Sequence, residues 1–95
     1  MSTAASIADD QRPRLPRGVR LKFDEARNEW LLLAPERVIK ANAIAVEILK
    51  RCDGTRSVQA LVDELATLYS ADRSRVQTDV HGLLLELATK RLLDL

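Results

Sequence analysis

The chain has 95 residues, 46% of them hydrophobic and 31% charged, with 15 basic and 14 acidic side chains for a formal net charge of +1. That length supports one modest core and excludes a substrate cleft between two lobes. The near-neutral charge gives no long-range field toward nucleic acid or an anionic membrane, and three aromatics, Phe23, Trp30 and Tyr69, are too few for a base-stacking platform. Cys52 is the only cysteine, so an internal disulfide and a thiolate metal cluster are both excluded and a reduced, cytoplasmic setting is expected. No stretch approaches the roughly 20 apolar residues of a membrane span, and the N-terminus lacks an apolar signal core.

Residues 1–14 are small, polar and aperiodic, which predicts a flexible N-terminal arm ahead of a single domain over residues 15–95. Arg12, Arg14 and Arg17 have the charge to touch phosphate, but a solvated tail is the commoner use of such a composition. Val19 to Phe23 alternates apolar and basic residues, the signature of a half-buried strand with Val19, Leu21 and Phe23 turned inward. Asp24 to Asn28 suits a hairpin loop. Trp30 to Leu33 then forms a bulky apolar run too short for a helix, which predicts a buried strand ended by Pro35. Arg37 to Lys40 is a third short strand, and its place last before the helices predicts a sheet edge with free backbone groups.

From residue 41 the apolar period lengthens to that of a helix. Ala41, Ile44, Ala45, Ile48, Leu49 and Cys52 share one face, with Asn42 as N-cap and Gly54 as a left-handed stop. Ser57 caps a second helix whose buried stripe is Val58, Leu61, Val62, Leu65, Ala66 and Tyr69. A third begins at Asp72 and turns Val76, Val80, Leu83, Leu84 and Leu87 toward the core. Leu92 to Leu95 reads as an apolar plug or short extended tail. Three strands followed by three helices predict an α+β domain with the helices on one face of a small antiparallel sheet.

Catalytic and metal chemistry find little support. His81 is the only histidine, without a second imidazole or a nearby cysteine for a metal, and on a helix flank it reads as a solvated side chain. Three scattered glycines build no phosphate loop, and no strained nucleophile turn accompanies the histidine. No catalytic residue and no metal ligand is therefore assigned. Two binding surfaces remain. Helices two and three would make a helix-turn-helix with Arg73, Ser74, Arg75, Gln77 and Thr78 toward a groove, where Asp72 and Asp79 oppose phosphate; a DNA-binding regulator is thus the alternative function. The first reading is the edge strand Arg37 to Lys40 beside the third helix, to which an extended peptide can add as another strand.

Four separated blocks carry a family resemblance: Arg17 to Asp24, Trp30 to Val38, Ile48-Leu49 with Cys52-Asp53-Gly54, and Asp79-Val80 with Leu83-Leu84 and Leu87. In order and spacing they resemble the pyrroloquinoline quinone biosynthesis protein D family over about residues 14–95. The resemblance implies a winged-helix-like fold and a peptide chaperone rather than an enzyme, with no cofactor of its own. Its implied partners are the ribosomal precursor peptide of pyrroloquinoline quinone and the radical S-adenosylmethionine enzyme that cross-links a Glu and a Tyr of that peptide. The positions it implies for peptide binding are Glu36, Arg37, Val38, Ile39 and Lys40 on the third strand and Arg73, Val76, Gln77 and Val80 on the facing helix. Within that set, Val38 or Ile39 and Val76 are expected to line an apolar groove, and Arg73 to read an acidic side chain. The exposed edge also suits a homodimer.

Overall fold

The structure of the protein, a computed structural model, describes residues 7–95. Strands β1 (Arg20–Asp24), β2 (Glu29–Ala34) and β3 (Arg37–Ala41) form one antiparallel sheet in the order β1-β2-β3. Helices α1 (Ala43–Lys50), α2 (Val58–Tyr69) and α3 (Arg73–Thr89) follow, so the predicted α+β order is the observed one. Both hairpins close on turn chemistry already visible in the residues. The Asp24 carboxylate accepts the Ala26 N–H at 3.1 Å, and Asn28 takes the left-handed conformation at φ 55°. In the second turn Pro35 holds its own φ near −65° while Glu36 sits at φ 63°, the pair of signs a type II turn requires.

Strand register sorts the side chains between two faces. Leu21, Leu32 and Ile39 lie opposite one another across the sheet, and Leu32, 1% exposed, and Ile39 pack into the helical core. The neighbouring row of Arg20, Leu33 and Val38 points the other way, which leaves Val38 64% exposed. Lys22, Leu31 and Lys40 share that outer face, and long lysine stems on either side account for the low exposure of Leu31.

Each helix starts where a cap was expected. The Asn42 side chain accepts the Ala45 N–H at 2.8 Å and the Ser57 hydroxyl accepts the Ala60 N–H at 3.1 Å. Asp72 precedes α3 but its carboxylate makes no capping bond. The core joins Leu32 to Ile48 and Leu49 of α1, to Val58, Leu61, Val62 and Leu65 of α2, and to Val80, Leu84 and Leu87 of α3. Leu92 and Leu93 close it from below α3, and Asp94 continues into a short bridge, so the C-terminal segment is plug and extended tail at once.

Three expectations are corrected. Ile44 and Tyr69, placed on the buried stripes of α1 and α2, are 51% and 45% exposed, because each lies at the end of its helix where no further element covers it. Val46, outside the expected face, is buried because α1 is wedged against β1, β3 and α2. Gly54 is left-handed at φ 84°, but α1 has already ended at Lys50, so the glycine serves the link to α2.

The expected arm over residues 1–14 falls partly outside the described residues; residues 7–14 lie inside and are bound down. Ile7 packs against the core and Pro13 is fully buried. The Asp9 and Gln11 carbonyls accept the Gln59 and Val58 N–H groups at 3.0 and 2.8 Å. Together with Ser57 they satisfy the first-turn donors of α2 that a helix cannot satisfy itself. Arg14 and Asp94 exchange both backbone bonds at 2.9 Å, and Pro13 accepts from Gly54 at 3.0 Å. Composition alone misses this strap because the bonds are made by main chain, which every residue carries.

Candidate functional site: an open strand edge and a groove along the third helix

Strand β3 has a ladder partner on one side only, so alternate backbone N–H and C=O groups along its other side face outward. At the start of β3 the Arg37 guanidinium donates to the Lys90 carbonyl at 3.3 Å, which ties the strand to the C-terminal end of α3. Beyond the end of β3, Asn42, Ala45 and Ile48 with Leu83 line a concavity of about 240 Å³. It shares Ile44 and Asp79 with a second of about 440 Å³, completed by Leu65, Tyr69, Ala71, Asp72, Arg75, Val76 and Val80. The two make one groove along the front half of α3. Its walls are aliphatic or aromatic and its rim is charged, a pattern suited to holding apolar side chains in a fixed orientation.

The expected site residues divide between this groove and its surroundings. Glu36 is at the exposed turn, and Arg37, Val38, Ile39 and Lys40 are on the open strand. Ile39, not Val38, faces the helices; Val38 and Lys40 project from the outer face, with the Lys40 ammonium 3.9 Å from the Glu29 carboxylate. On α3, Val76 and Val80 line the larger concavity, Val76 half-buried and Val80 1% exposed. Arg73 and Gln77 do not line it. The Arg73 guanidinium is paired with Asp63 of α2 and donates to Gln77 Oε1 at 3.0 Å, so the two residues belong to the α2 side of the helix.

Sequence reasoning missed Ile44, Tyr69, Asp79 and Leu83 as groove residues, and weighed Arg75 only for DNA. A signal existed: Asp72, Val76, Asp79 and Leu83 recur at helical spacing and mark a face beside the core stripe. Two carboxylates on that face, and the pairing of Arg73 with Asp63, leave Arg75 as the one cation lining the groove among the described residues, so the groove does not favour DNA.

Ionisable groups away from the groove are structural. Burial, reinforced by the neighbouring Asp53 charge, pushes the Cys52 thiol up to about 12, and its Sγ donates to the Ile48 carbonyl at 3.2 Å. It is therefore a protonated core group with no nucleophilic character at neutral pH. A hydrogen bond from Arg51 holds the Glu47 carboxyl below its usual range, and bonds from Thr55 do the same for Asp53. His81, expected as a solvated flank residue, is corrected to a half-buried one: its Nε2 is shielded and without a hydrogen-bond partner among the described residues, with the Asp9 carboxylate 3.9 Å away. Among the described residues no three His, Cys, Asp or Glu side chains are grouped to hold a metal, and no helix is long and apolar enough to cross a membrane.

The family model described as coenzyme PQQ synthesis protein D (PqqD) matches residues 29–93. A PqqA binding protein of Rhodopseudomonas palustris (strain BisB5) is 52% identical over 88 residues, covering 93% of this chain and 86% of the relative. A PqqA binding protein of Xanthomonas oryzae pv. oryzae (strain PXO99A) is 46% identical over 91 residues, covering 96% and 99%. Among solved structures, the solution NMR structure of the PqqD truncation of Methylobacterium extorquens PqqCD superposes with a TM-score of 0.82 at 42% identity, over 96% of this chain and 97% of that one. That truncation is described as a functional and stand-alone recognition element for ribosomally synthesized and post-translationally modified peptides. The crystal structure of PqqD from Xanthomonas campestris gives a TM-score of 0.60 at 46% identity, over 95% and 100%. With the family model spanning residues 29–93 and a solved relative sharing the fold over nearly the whole chain, the chain belongs to the coenzyme PQQ synthesis protein D family.

Proposed function

We propose that the chain is the peptide chaperone of pyrroloquinoline quinone biosynthesis, a non-catalytic cytoplasmic protein that binds the PqqA precursor peptide and presents it to the modifying enzyme. The observation that carries this reading is the open edge of β3 beside a groove of mainly apolar walls on α3. An extended segment adding to β3 makes main-chain bonds independent of its sequence, while its alternate side chains enter the groove and are selected there. Residues 36–40 supply the backbone edge, Ile39 the helix-side wall of the strand, and Val76 and Val80 the floor on α3.

Binding of this kind fixes one register of an otherwise disordered peptide. The ordering cost is then met on the chaperone, and the reactive Glu and Tyr of the precursor reach the radical S-adenosylmethionine enzyme at a raised effective concentration. A second copy of the chain adding at β3 would occupy the same edge, so dimer formation through it competes with peptide.

The direct test is a titration of isotope-labelled protein with synthetic PqqA, followed by backbone amide shifts. The expected result is a saturable response at residues 36–41, at Ile44 and along Asp72 to Leu83, with the region around Arg14 and Asp94 silent. Absence of any saturable response, or a response confined to the Arg14 and Asp94 side, overturns the reading.

A further inference from the structure

Resting on the peptide-chaperone reading, we propose that Arg75 is the specificity-determining residue of the groove, pairing with one acidic side chain of the bound peptide while Asp72 and Asp79 exclude acids from adjacent positions. Strand β3 and the first turn of α3 carry four cations, and three have partners. Arg37 donates to the Lys90 carbonyl, Lys40 lies within 4 Å of Glu29, and Arg73 is paired with Asp63 and hydrogen-bonded to Gln77. Arg75 lines the larger concavity, and among the described residues its guanidinium has no ion pair and no hydrogen bond. It stands beside the exposed Ile44 and Tyr69, where an apolar ligand side chain would displace water and strengthen any charge contact at the rim.

The flanking carboxylates make the arrangement directional. At about 1.5 Å per residue of helix, Arg75 is about 4.5 Å along the axis from Asp72 and about 6 Å from Asp79. Same-side side chains of an extended peptide repeat every ~6.8 Å. A peptide shifted by one such step therefore carries its acid from Arg75 to Asp79, exchanging attraction for repulsion. The same stretch of α3 both rewards one register and penalises the next.

The test measures binding of synthetic PqqA and of variants in which each acidic residue, one at a time, is replaced by its amide, to the wild-type protein and to Arg75→Gln, Arg75→Lys and Arg73→Gln. Expected is a loss of about fivefold for one amide variant only, the size of a charge-assisted contact at a partly desolvated rim. Arg75→Gln shows the same loss with unmodified peptide and no additional loss with that variant, Arg75→Lys recovers part of it, and Arg73→Gln stays within about twofold, as for an ordinary exposed pair. If unmodified PqqA binds and Arg75→Gln is unchanged, or its loss adds to that of every amide variant, the role of Arg75 is overturned and the chaperone reading stands. If PqqA does not bind the wild-type protein, the chaperone reading falls and this role with it.

Discussion

The two ends of the helical layer treat main-chain hydrogen bonding in opposite ways. At one end lie the C-terminus of α1, the N-terminus of α2 and the segment after α3; there the strap of residues 9–14 pairs with Asp53, Gly54, Val58, Gln59 and Asp94 until the local backbone is largely satisfied. At the other end lie the N-termini of α1 and α3 and the C-terminus of α2, and there Ile44 and Tyr69 remain exposed past the end of a strand with a free edge. The chain thus covers one end with its own extended segment and leaves the other open. A binding surface can be recognised as the place where a protein that elsewhere completes its own bonding has stopped doing so.

The largest expected effect breaks the satisfied end. Leu93→Ala removes a core side chain 4% exposed, next in sequence to the Asp94 that pairs with the strap, and is expected to destabilise the fold by about 3 kcal/mol, read as a lower denaturation midpoint, while PqqA affinity of the folded fraction is unchanged. A coupled loss of affinity would mean that the two ends are not independent. Next in size is a change at the open end made on the ligand alone. N-methylation of single peptide amides in the segment proposed to pair with β3 is expected to weaken binding by about 1 kcal/mol, roughly fivefold, at alternate positions only. Equal effects at every position would point to a steric cause instead of strand addition. The smallest change touches neither end. Gly82 sits inside α3 with open space where a Cβ would stand, so Gly82→Ala is expected to stabilise by about 0.5–1 kcal/mol and leave peptide binding as it was. Weaker binding of this more stable variant would place a contact on the solvent face of α3.

How much of this was legible in the residues depends on which physical signal each feature uses. The helices announce themselves through 3.6-residue periodicity and through Asn42 and Ser57, whose side chains have the reach to cap. Strand β3 could be placed at an edge because Pro35 bounds it on one side and the helical period begins directly on the other. The strap could not, since Asp9, Gln11 and Pro13 contribute mainly carbonyl groups that no composition reveals. The groove was half legible. Val76 and Val80 stand out as apolar, but the same pattern marks a core, and only the missing cover over Ile44 and Tyr69 distinguishes a groove wall from an interior. Arg73 and Arg75 are indistinguishable as letters. Asp63, ten positions earlier on another helix, decides that the first is engaged and the second is not.

The exchange of bonds between Arg14 and Asp94 also decides where cargo can be hung on this molecule. Leu95 follows directly and is 40% exposed, at the end of the helical layer remote from Ile44 and Tyr69. A fluorophore, a solid support or an entire enzyme joined there leaves β3 and the groove accessible. A linker of ten or so flexible residues spans about 16–19 Å on average, enough to hold a tethered catalyst close to this molecule at millimolar local concentration. The closed end is thus the handle by which the open end can be placed to order.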